Sequence, residues 1–156
     1  MIDVHIGQVK IAKEGEILRA LLGSCVGLGV IWKEREICGL AHCLLPKEQN
    51  PTLEIGAKFV DQAFRSLIAL MKIGTKDLGS VSVLIVGGGN MTKPNITRTS
   101  ELVGLINFNM AINEAKRLNL KVIYTEGGGV EGRKIMIDSS TFSFRIEKIP
   151  RLQSAA

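Results

Sequence analysis

Aromatic residues are scarce in this chain: phenylalanine, tryptophan and tyrosine together make up 4% of its 156 residues. Single-stranded nucleic acids stack on aromatic side chains that are interleaved with basic ones, and no stretch here combines the two. The 20 Lys and Arg residues are scattered among 15 Asp and Glu residues. We therefore expect no nucleic-acid binding. The net charge of +5 suits either docking on an acidic protein surface or a merely solvated basic surface.

Long apolar runs are also missing. Every run ends well short of the roughly eighteen residues that indicate a membrane span. Residues 1–5 lack the basic and then apolar layout of a secretory signal peptide. We expect a soluble cytoplasmic protein that does not insert into a membrane.

Cysteine occurs only three times, an odd count that does not suit a disulfide framework. The short spacing of Cys38, His42 and Cys43 suggests a metal site. On a strand, however, Cys38 and His42 lie about 13 Å apart at about 3.3 Å per residue, and Cys43 faces the other side. Zinc ligands converge within about 2.3 Å of one ion. We expect no metal and no cofactor.

Two apolar runs around a short polar segment predict a β-hairpin. Residues 23–32 and 37–45 are rich in Val, Ile and Leu, and residues 33–36 are all charged. A turn centred in the charged segment places Trp32 opposite Ile37. A shift of one residue would move every side chain to the other face of the sheet, so the pairing decides which side chains meet.

The centred turn makes His42 the diagonal neighbour of Cys25 on one face of the hairpin. Diagonal Cβ atoms lie about 7–8 Å apart, a distance that long side chains can span. Gly27 and Gly29 share this face, and we expect them to leave open space beside the thiol. The side chain of Ser24 points to the opposite face, which argues against Ser24 as a nucleophile.

A cysteine beside a histidine can perform nucleophilic catalysis. A thiol with a pKa of about 8.5 is a poor nucleophile at neutral pH, but an adjacent imidazole can take its proton and later protonate a leaving group. From the residues alone a second interpretation stays open. A single cysteine in an apolar strand is most often a small buried hydrophobe, and a lone histidine is most often a hydrogen-bonded core or surface residue.

Specific motifs surround the cysteine and the histidine and continue along the chain. The most specific are Leu-Gly-Ser-Cys-Val at residues 22–26 and Gly-x-x-His-x-x-Leu-Pro at residues 39–46. Four further segments follow in order: residues 58–63, 86–91, 104–107 and 127–133. They look like an aromatic-x-Asp-x-Ala helix, a Gly-Gly-Ala-x-Met turn, a Gly-x-Arg-Asn segment and a Gly-Gly-x-x-Gly-Arg element. Together these motifs resemble the CheD family, the chemoreceptor glutamine deamidases of bacterial and archaeal chemotaxis.

The resemblance implies an activity and a pair of catalytic residues, Cys25 and His42. Cys25 would attack the side-chain amide of a glutamine in a methyl-accepting chemotaxis receptor, and His42 would pass its proton to the departing ammonia. It implies two partners, the membrane receptors, contacted peripherally, and a CheC-type phosphatase. Many strands with two long helices inserted predict an α+β fold, and the resemblance implies the same class, with two packed mixed β-sheets flanked by helices.

Two positions depart from the family pattern. Arg19 stands six residues before the cysteine, where the family usually has a threonine thought to orient the histidine. Ile106 stands where arginine is common, next to the matching Asn107. A cationic Arg19 near the thiol could lower the thiol pKa. These departures keep two alternatives open: a non-catalytic regulator that binds receptors or the phosphatase, and a thiol peptidase or transferase.

The patterning predicts one domain over residues 1–150 and a short tail at 151–156. Apolar residues at helical spacing predict a helix over residues 53–73, and Ser100 is a reasonable N-cap for a second helix that ends near residue 118. A long irregular stretch, 91–99, precedes it. Besides the hairpin, we expect strands at residues 4–12, 16–21, 81–86, 121–125, 134–138 and 141–148.

Overall fold

The computed structural model describes residues 1–90 and 102–150. The irregular stretch expected at residues 91–99, the cap expected at Ser100 and the tail at residues 151–156 lie outside the described residues. The division into a domain at 1–150 and a tail therefore stays a prediction.

Nine strands and two α-helices form within the described residues. The strands are β1 (Ile2–Asp3), β2 (Val9–Ala12), β3 (Ile17–Leu22), β4 (Val26–Trp32), β5 (Ile37–Cys43), β6 (Ser82–Gly87), β7 (Lys121–Gly127), β8 (Gly132–Asp138) and β9 (Ser143–Ile149). The helices are α1 (Val60–Met71) and α2 (Val103–Arg117), and short 3-10 turns cover Lys33–Arg35 and Thr75–Ser80.

The strands form two mixed sheets, which confirms the predicted α+β class. One sheet has the order β1-β3-β8-β9, and the other has the order β2-β5-β4-β6-β7. The β1–β3 and β6–β7 pairs are parallel, and the remaining neighbours are antiparallel. Both helices pack on the five-stranded sheet, α1 mainly on β5 and α2 mainly on β6.

The core has two layers because the five-stranded sheet is covered on both faces. One face, with Val26, Leu28 and Val30, packs against the helices. The other face, with Leu40 and Leu84, packs against the four-stranded sheet. Every residue of β4 and β5 is buried. A strand buried on both faces needs apolar residues at every position, which explains the continuous apolar runs in the sequence.

The predicted hairpin register is confirmed. Trp32 pairs with Ile37, and Gly27 pairs with His42. The charged segment forms the 3-10 turn, and Glu36 completes it in the left-handed region with φ of 54°. The polar turn and the two apolar runs were thus sufficient to predict the pairing.

Two predicted boundaries are wrong. Of the strand expected at residues 4–12, only Val9–Ala12 forms one, β2 of the five-stranded sheet. Residues 4–8 instead connect it to β1, a two-residue strand of the four-stranded sheet that precedes the expected range, and the chain turns at Gly7, where φ is +82°. The first helix begins at Val60 rather than at residue 53. Residues before it are held in an extended path by hydrogen bonds from the Gly56 N–H to Ser66 Oγ (3.0 Å) and from the Ala57 N–H to the Gly7 carbonyl (2.9 Å).

The open space expected beside the thiol is also wrong, because the second sheet fills it. A Cβ at Gly27 would lie 2.9 Å from Leu22 Cδ1, and a Cβ at Gly29 would lie 2.7 Å from Ile137 Cδ1. The two glycines therefore let the two sheets approach each other closely over this part of β4.

We expect Gly29→Ala to lower the free energy of unfolding by about 1–3 kcal/mol, because the new methyl group overpacks the space between the sheets. Equilibrium unfolding in urea measures this change. Gly79→Ala is the matched control, since a Cβ there has nothing within 4 Å. Equal losses of stability in the two variants would contradict the close packing at Gly29.

Candidate active site

Cys25 lies at the entrance to β4, between the two sheets. Its side chain is 5% exposed and belongs to the apolar cluster that joins the sheets. Because Gly27 pairs with His42 and side chains alternate along a strand, His42 lies on the same face and diagonally opposite Cys25. The structure thus places the two residues singled out from the sequence on one face of the sheet, and their catalytic role stays a prediction.

The imidazole of His42 is oriented by a backbone carbonyl. Its Nδ1 atom lies 2.9 Å from the carbonyl oxygen of Val4, and the side chain is almost fully buried. A carbonyl oxygen only accepts hydrogen bonds, so Nδ1 carries the proton and the lone pair of Nε2 is available as a base. Sequence reasoning missed Val4, because a contact through the main chain leaves no signal in the residue type.

Burial sets the protonation of both groups. It raises the pKa of the Cys25 thiol above its ordinary value. Burial also lowers the pKa of His42, and this effect outweighs the Val4 hydrogen bond, which acts in the opposite direction. Both groups are therefore neutral at pH 7 in the free protein. A reaction at Cys25 requires the proton to move to His42 as the sulfur attacks, not an ion pair formed in advance.

Arg19 does not serve as a counter-charge for the thiol. Its Nε donates a hydrogen bond of 2.7 Å to Asp3 Oδ1 in a partly exposed ion pair. This pairing lowers the pKa of the Asp3 carboxyl and raises that of the guanidinium. The lowered thiol pKa expected from a nearby Arg19 is not seen, since the pKa of Cys25 shifts upward and burial is the cause.

A surface cavity of about 720 Å³ opens beside His42. Its rim carries both apolar and charged side chains, and Ile6 and Leu21 on it are more than half exposed. Cys25 does not line this cavity. The cavity is formed by Asp3, Val4, His5, Ile6, Arg19, Ala20, Leu21, His42 and Lys134.

The glycine turn after β6 supports the Cys25 segment from behind. The Gly88 N–H donates to the Cys25 carbonyl (2.9 Å), and the Gly89 N–H donates to the Gly23 carbonyl (3.0 Å). Gly87 has φ of +121°, and a Cβ there would overlap the Cys25 carbonyl oxygen. The N–H groups of this turn thus hold the cysteine segment in place. Glycine is required at position 87 because the turn passes close to the Cys25 carbonyl and because φ there is positive.

The late glycine element continues the same support. The Gly128 N–H donates to the Gly87 carbonyl (3.1 Å). Arg133, 5% exposed, donates through Nη1 to the Gly128 carbonyl (2.7 Å) and through Nε to Glu126 Oε2 (3.0 Å). Three motifs that are far apart in sequence therefore form one hydrogen-bonded scaffold around Cys25.

Asn107 links α2 to the end of β5, the strand that carries His42. Its Nδ2 donates to the Leu44 carbonyl (2.8 Å), two residues after His42, and the side chain is fully buried. Ile106, the neighbour that departs from the family pattern, is only partly buried. The asparagine of this segment is thus a structural link on the helix side of the sheet.

The other two cysteines are buried and lie apart from the cysteine–histidine pair. Cys38 lies further along the inter-sheet face, and burial together with Asp138 raises its pKa to about 11. Cys43 faces the helices, and burial raises its pKa further. Over residues 1–90 and 102–150, no group of three or more His, Cys, Asp and Glu residues is arranged to hold a metal ion.

Comparison with known proteins assigns the chain to a family. The family model described as "CheD chemotactic sensory transduction" matches residues 44–148. The chain belongs to the CheD family. The CheD model match begins two residues after His42, so it does not itself include the cysteine and the histidine.

Three curated CheD relatives match nearly the whole chain. A protein of Ruegeria sp. (strain TM1040), named "Probable chemoreceptor glutamine deamidase CheD 2", is 35% identical over 97% of this chain and 93% of its own length. Proteins named "Probable chemoreceptor glutamine deamidase CheD" from Bdellovibrio bacteriovorus and Thermococcus kodakarensis are each 31% identical over 95% of this chain, and the matches cover 94% and 92% of their lengths. Neither helix in the described part of this CheD chain is long and apolar enough to cross a membrane.

We expect alkylation of Cys25 by iodoacetamide to accelerate steadily with pH and to show no plateau near pH 7. Burial raises the thiol pKa, so the reactive thiolate forms only at alkaline pH. Site-resolved mass spectrometry measures the rate, with buried Cys38 as an internal reference. His42→Ala should leave the profile essentially unchanged. A plateau near pH 7 that disappears in His42→Ala would instead show a preformed ion pair.

We expect Gly87→Ala to reduce the free energy of unfolding by about 1–3 kcal/mol, the usual scale of such backbone strain. The methyl group would displace the Cys25 carbonyl, so the alkylation rate of Cys25 should change as well. Gly15→Ala is the matched control: it also has positive φ, +85°, but its nearest neighbour would be 3.9 Å away. A Cys25 rate that changes equally in both variants would contradict the supporting role of the turn.

Proposed function

We propose that this protein is a chemoreceptor glutamine deamidase in which Cys25 is the nucleophile and His42 is the general base and acid. The observation that carries the proposal is the Val4–His42 hydrogen bond of 2.9 Å. It places the proton on Nδ1 and leaves Nε2 unprotonated on the face of the sheet that holds Cys25. The names of the relatives and the membership in the CheD family support glutamine as the substrate.

The first half of the reaction forms a thioester. His42 Nε2 takes the thiol proton while Sγ bonds to the carboxamide carbon of the glutamine. The tetrahedral intermediate then breaks its C–N bond, and the nitrogen leaves as ammonia with the proton that His42 held. The imidazole is neutral again, and Cys25 is acylated by the substrate side chain.

The second half hydrolyses the thioester. His42 Nε2 takes a proton from a water molecule, whose oxygen attacks the thioester carbon. The C–S bond breaks, His42 gives the proton that it took from water to the sulfur, and the substrate residue leaves as a carboxylic acid that loses its proton to solvent and becomes glutamate. Because both resting groups are neutral, one proton passes between Sγ and Nε2 in each half of the cycle, and no external acid is needed.

The negative oxygen of each tetrahedral intermediate needs hydrogen-bond donors. The N–H groups of Ser24 and Cys25 are the nearest candidates, and within the described residues neither donates to a backbone carbonyl. The Gly88 and Gly89 hydrogen bonds hold the carbonyls of this segment and so fix the direction of its N–H groups.

The substrate glutamines lie, in this proposal, on the cytoplasmic helices of methyl-accepting chemotaxis receptors. The protein acts in the cytoplasm, contacts the receptors at the membrane periphery, and also binds a CheC-type phosphatase. The exposed apolar and basic groups around the His42 cavity suit contact with a helical protein surface.

One observation favours a second candidate, a non-catalytic regulator that binds receptors or the phosphatase. Cys25 is 5% exposed and does not line the cavity that opens at His42. A protein that only docks on its partner does not need to expose the thiol.

The two candidates differ in a direct assay. We expect the protein to convert specific glutamines of a receptor cytoplasmic fragment to glutamate, a mass increase of about 1 Da that peptide mass spectrometry resolves. Cys25→Ala and His42→Ala should each abolish the conversion, because one lacks the nucleophile and the other the proton carrier.

Cys38→Ala is the matched control, since this cysteine is buried in the same cluster but lies apart from His42, and it should keep its activity. Binding of the receptor fragment with no conversion by the wild-type protein would favour the non-catalytic regulator. Conversion that survives in Cys25→Ala would overturn the assignment of the nucleophile.

A further inference from the structure

One short segment, residues 4–8, makes every polar contact of His42 that the structure describes. We call it the crossing segment. The Nδ1–H group of His42 donates to the Val4 carbonyl (2.9 Å). Its backbone N–H donates to the Gln8 carbonyl (3.0 Å), and its backbone carbonyl accepts from the Gly7 N–H (2.8 Å). The position of the imidazole therefore depends on where this segment runs.

The crossing segment passes from one sheet to the other. Before it, β1 pairs with β3 in the four-stranded sheet, and after it, β2 pairs with β5 in the five-stranded sheet. The β5 side is well secured, because Val9–Ala12 pairs with β5 at four successive positions. The β1 side has only two paired residues, Ile2 and Asp3, so it is the weaker of the two attachments.

An ion pair strengthens the weaker attachment. Asp3 pairs with Arg19 in the β1–β3 register, and the two side chains are joined by the 2.7 Å contact of Nε with Oδ1. The main chain continues the contact, since the Val4 N–H donates to the Arg19 carbonyl (2.8 Å). Lys10 Nζ also donates to the Asp3 carbonyl (2.9 Å). Arg19 thus contacts both Asp3 and Val4. The carbonyl of Val4 is the group that accepts the hydrogen bond from His42.

We propose that Arg19 is a positioning residue for His42. By holding Asp3, it fixes the crossing segment, and the Val4 carbonyl then selects the ring orientation and the Nδ1–H tautomer of the imidazole. The link runs from Arg19 through Asp3 and Val4 to His42, without contact between Arg19 and the ring. The effect of Arg19 on the His42 tautomer is independent of the proposed deamidase function. The effect of Arg19 on turnover rests on that function.

The size of the effect on the stability of the fold separates a positioning role of Arg19 from a structural one. The side chains of Arg19 and Asp3 are 37% and 45% exposed, and an ion pair that is this exposed to water contributes little to stability. Loss of the pair should therefore leave global unfolding nearly unchanged. The ring of His42, in contrast, has a second tautomer that becomes populated once the Val4 carbonyl moves.

The test measures the His42 tautomer by the ¹⁵N chemical shifts of its ring in labelled protein. The wild-type protein should show Nδ1 protonated and Nε2 unprotonated. Arg19→Gln and Asp3→Asn should each shift the two signals toward a tautomer mixture. His5 supplies the other ring signal of the chain. Asp3→Arg combined with Arg19→Asp restores an ion pair in reverse and should recover the wild-type shifts.

Glu147→Gln is the matched control. Glu147 forms an ion pair of similar exposure with Lys134 on the same sheet, 3.0 Å between Nζ and Oε2, but it lies on β9, at the opposite edge of that sheet from β1. Glu147→Gln should leave the His42 shifts unchanged. If Arg19→Gln and Asp3→Asn behave like this control, the positioning role is overturned.

Turnover gives the second readout. We expect Arg19→Gln to lower kcat for deamidation by a few-fold with little change in KM, because an exposed ion pair contributes little and its loss can remove only a small part of the roughly hundredfold to ten-thousandfold effect of a general acid–base group. A shifted tautomer in a protein that has no deamidase activity even as wild type would support the positioning link and would refute the deamidase instead. An unshifted tautomer in an active protein would refute only the role of Arg19.

Discussion

The burial of the β4–β5 hairpin on both faces is the constraint on which the rest of the structure depends. Helices cover one face and the four-stranded sheet covers the other, so every residue of both strands is inside the protein. A change of register would turn the glycines away from the second sheet and exchange the two sets of side chains. The same constraint that fixes the core therefore fixes the diagonal relation of Cys25 and His42.

Burial also determines the chemistry that the pair can perform. A thiol and an imidazole removed from water both favour their neutral forms, and the pKa values of Cys25 and His42 move in the directions that this requires. The protein compensates by fixing the proton on one ring nitrogen through the Val4 carbonyl. This arrangement suits a reaction in which the proton moves during the attack, at a site whose groups are already oriented.

The glycine motifs have one physical explanation. At each of these positions a neighbouring group approaches the chain too closely for a Cβ: side chains of the core at Gly27 and Gly29, and the backbone of Cys25 at Gly87. Sequence reasoning interpreted the first two as open space because it considered one hairpin by itself. The neighbours belong to the second sheet, Leu22 on β3 and Ile135 and Ile137 on β8, and the packing of this sheet on the hairpin could not be read from the hairpin alone.

Local chemistry in the sequence predicted the hairpin, its register and the shared face of Cys25 and His42, because a charged turn centred between two apolar runs favours the pairing that the structure has. The motifs also indicated the family. Only the tertiary structure decided which group orients the histidine. Position 19 has an arginine in place of a threonine, and the contact comes from the main chain of Val4, in a segment expected to be a strand, which instead crosses from one sheet to the other. A backbone carbonyl is the same in every residue, so its role depends on the path of the chain and not on the residue type.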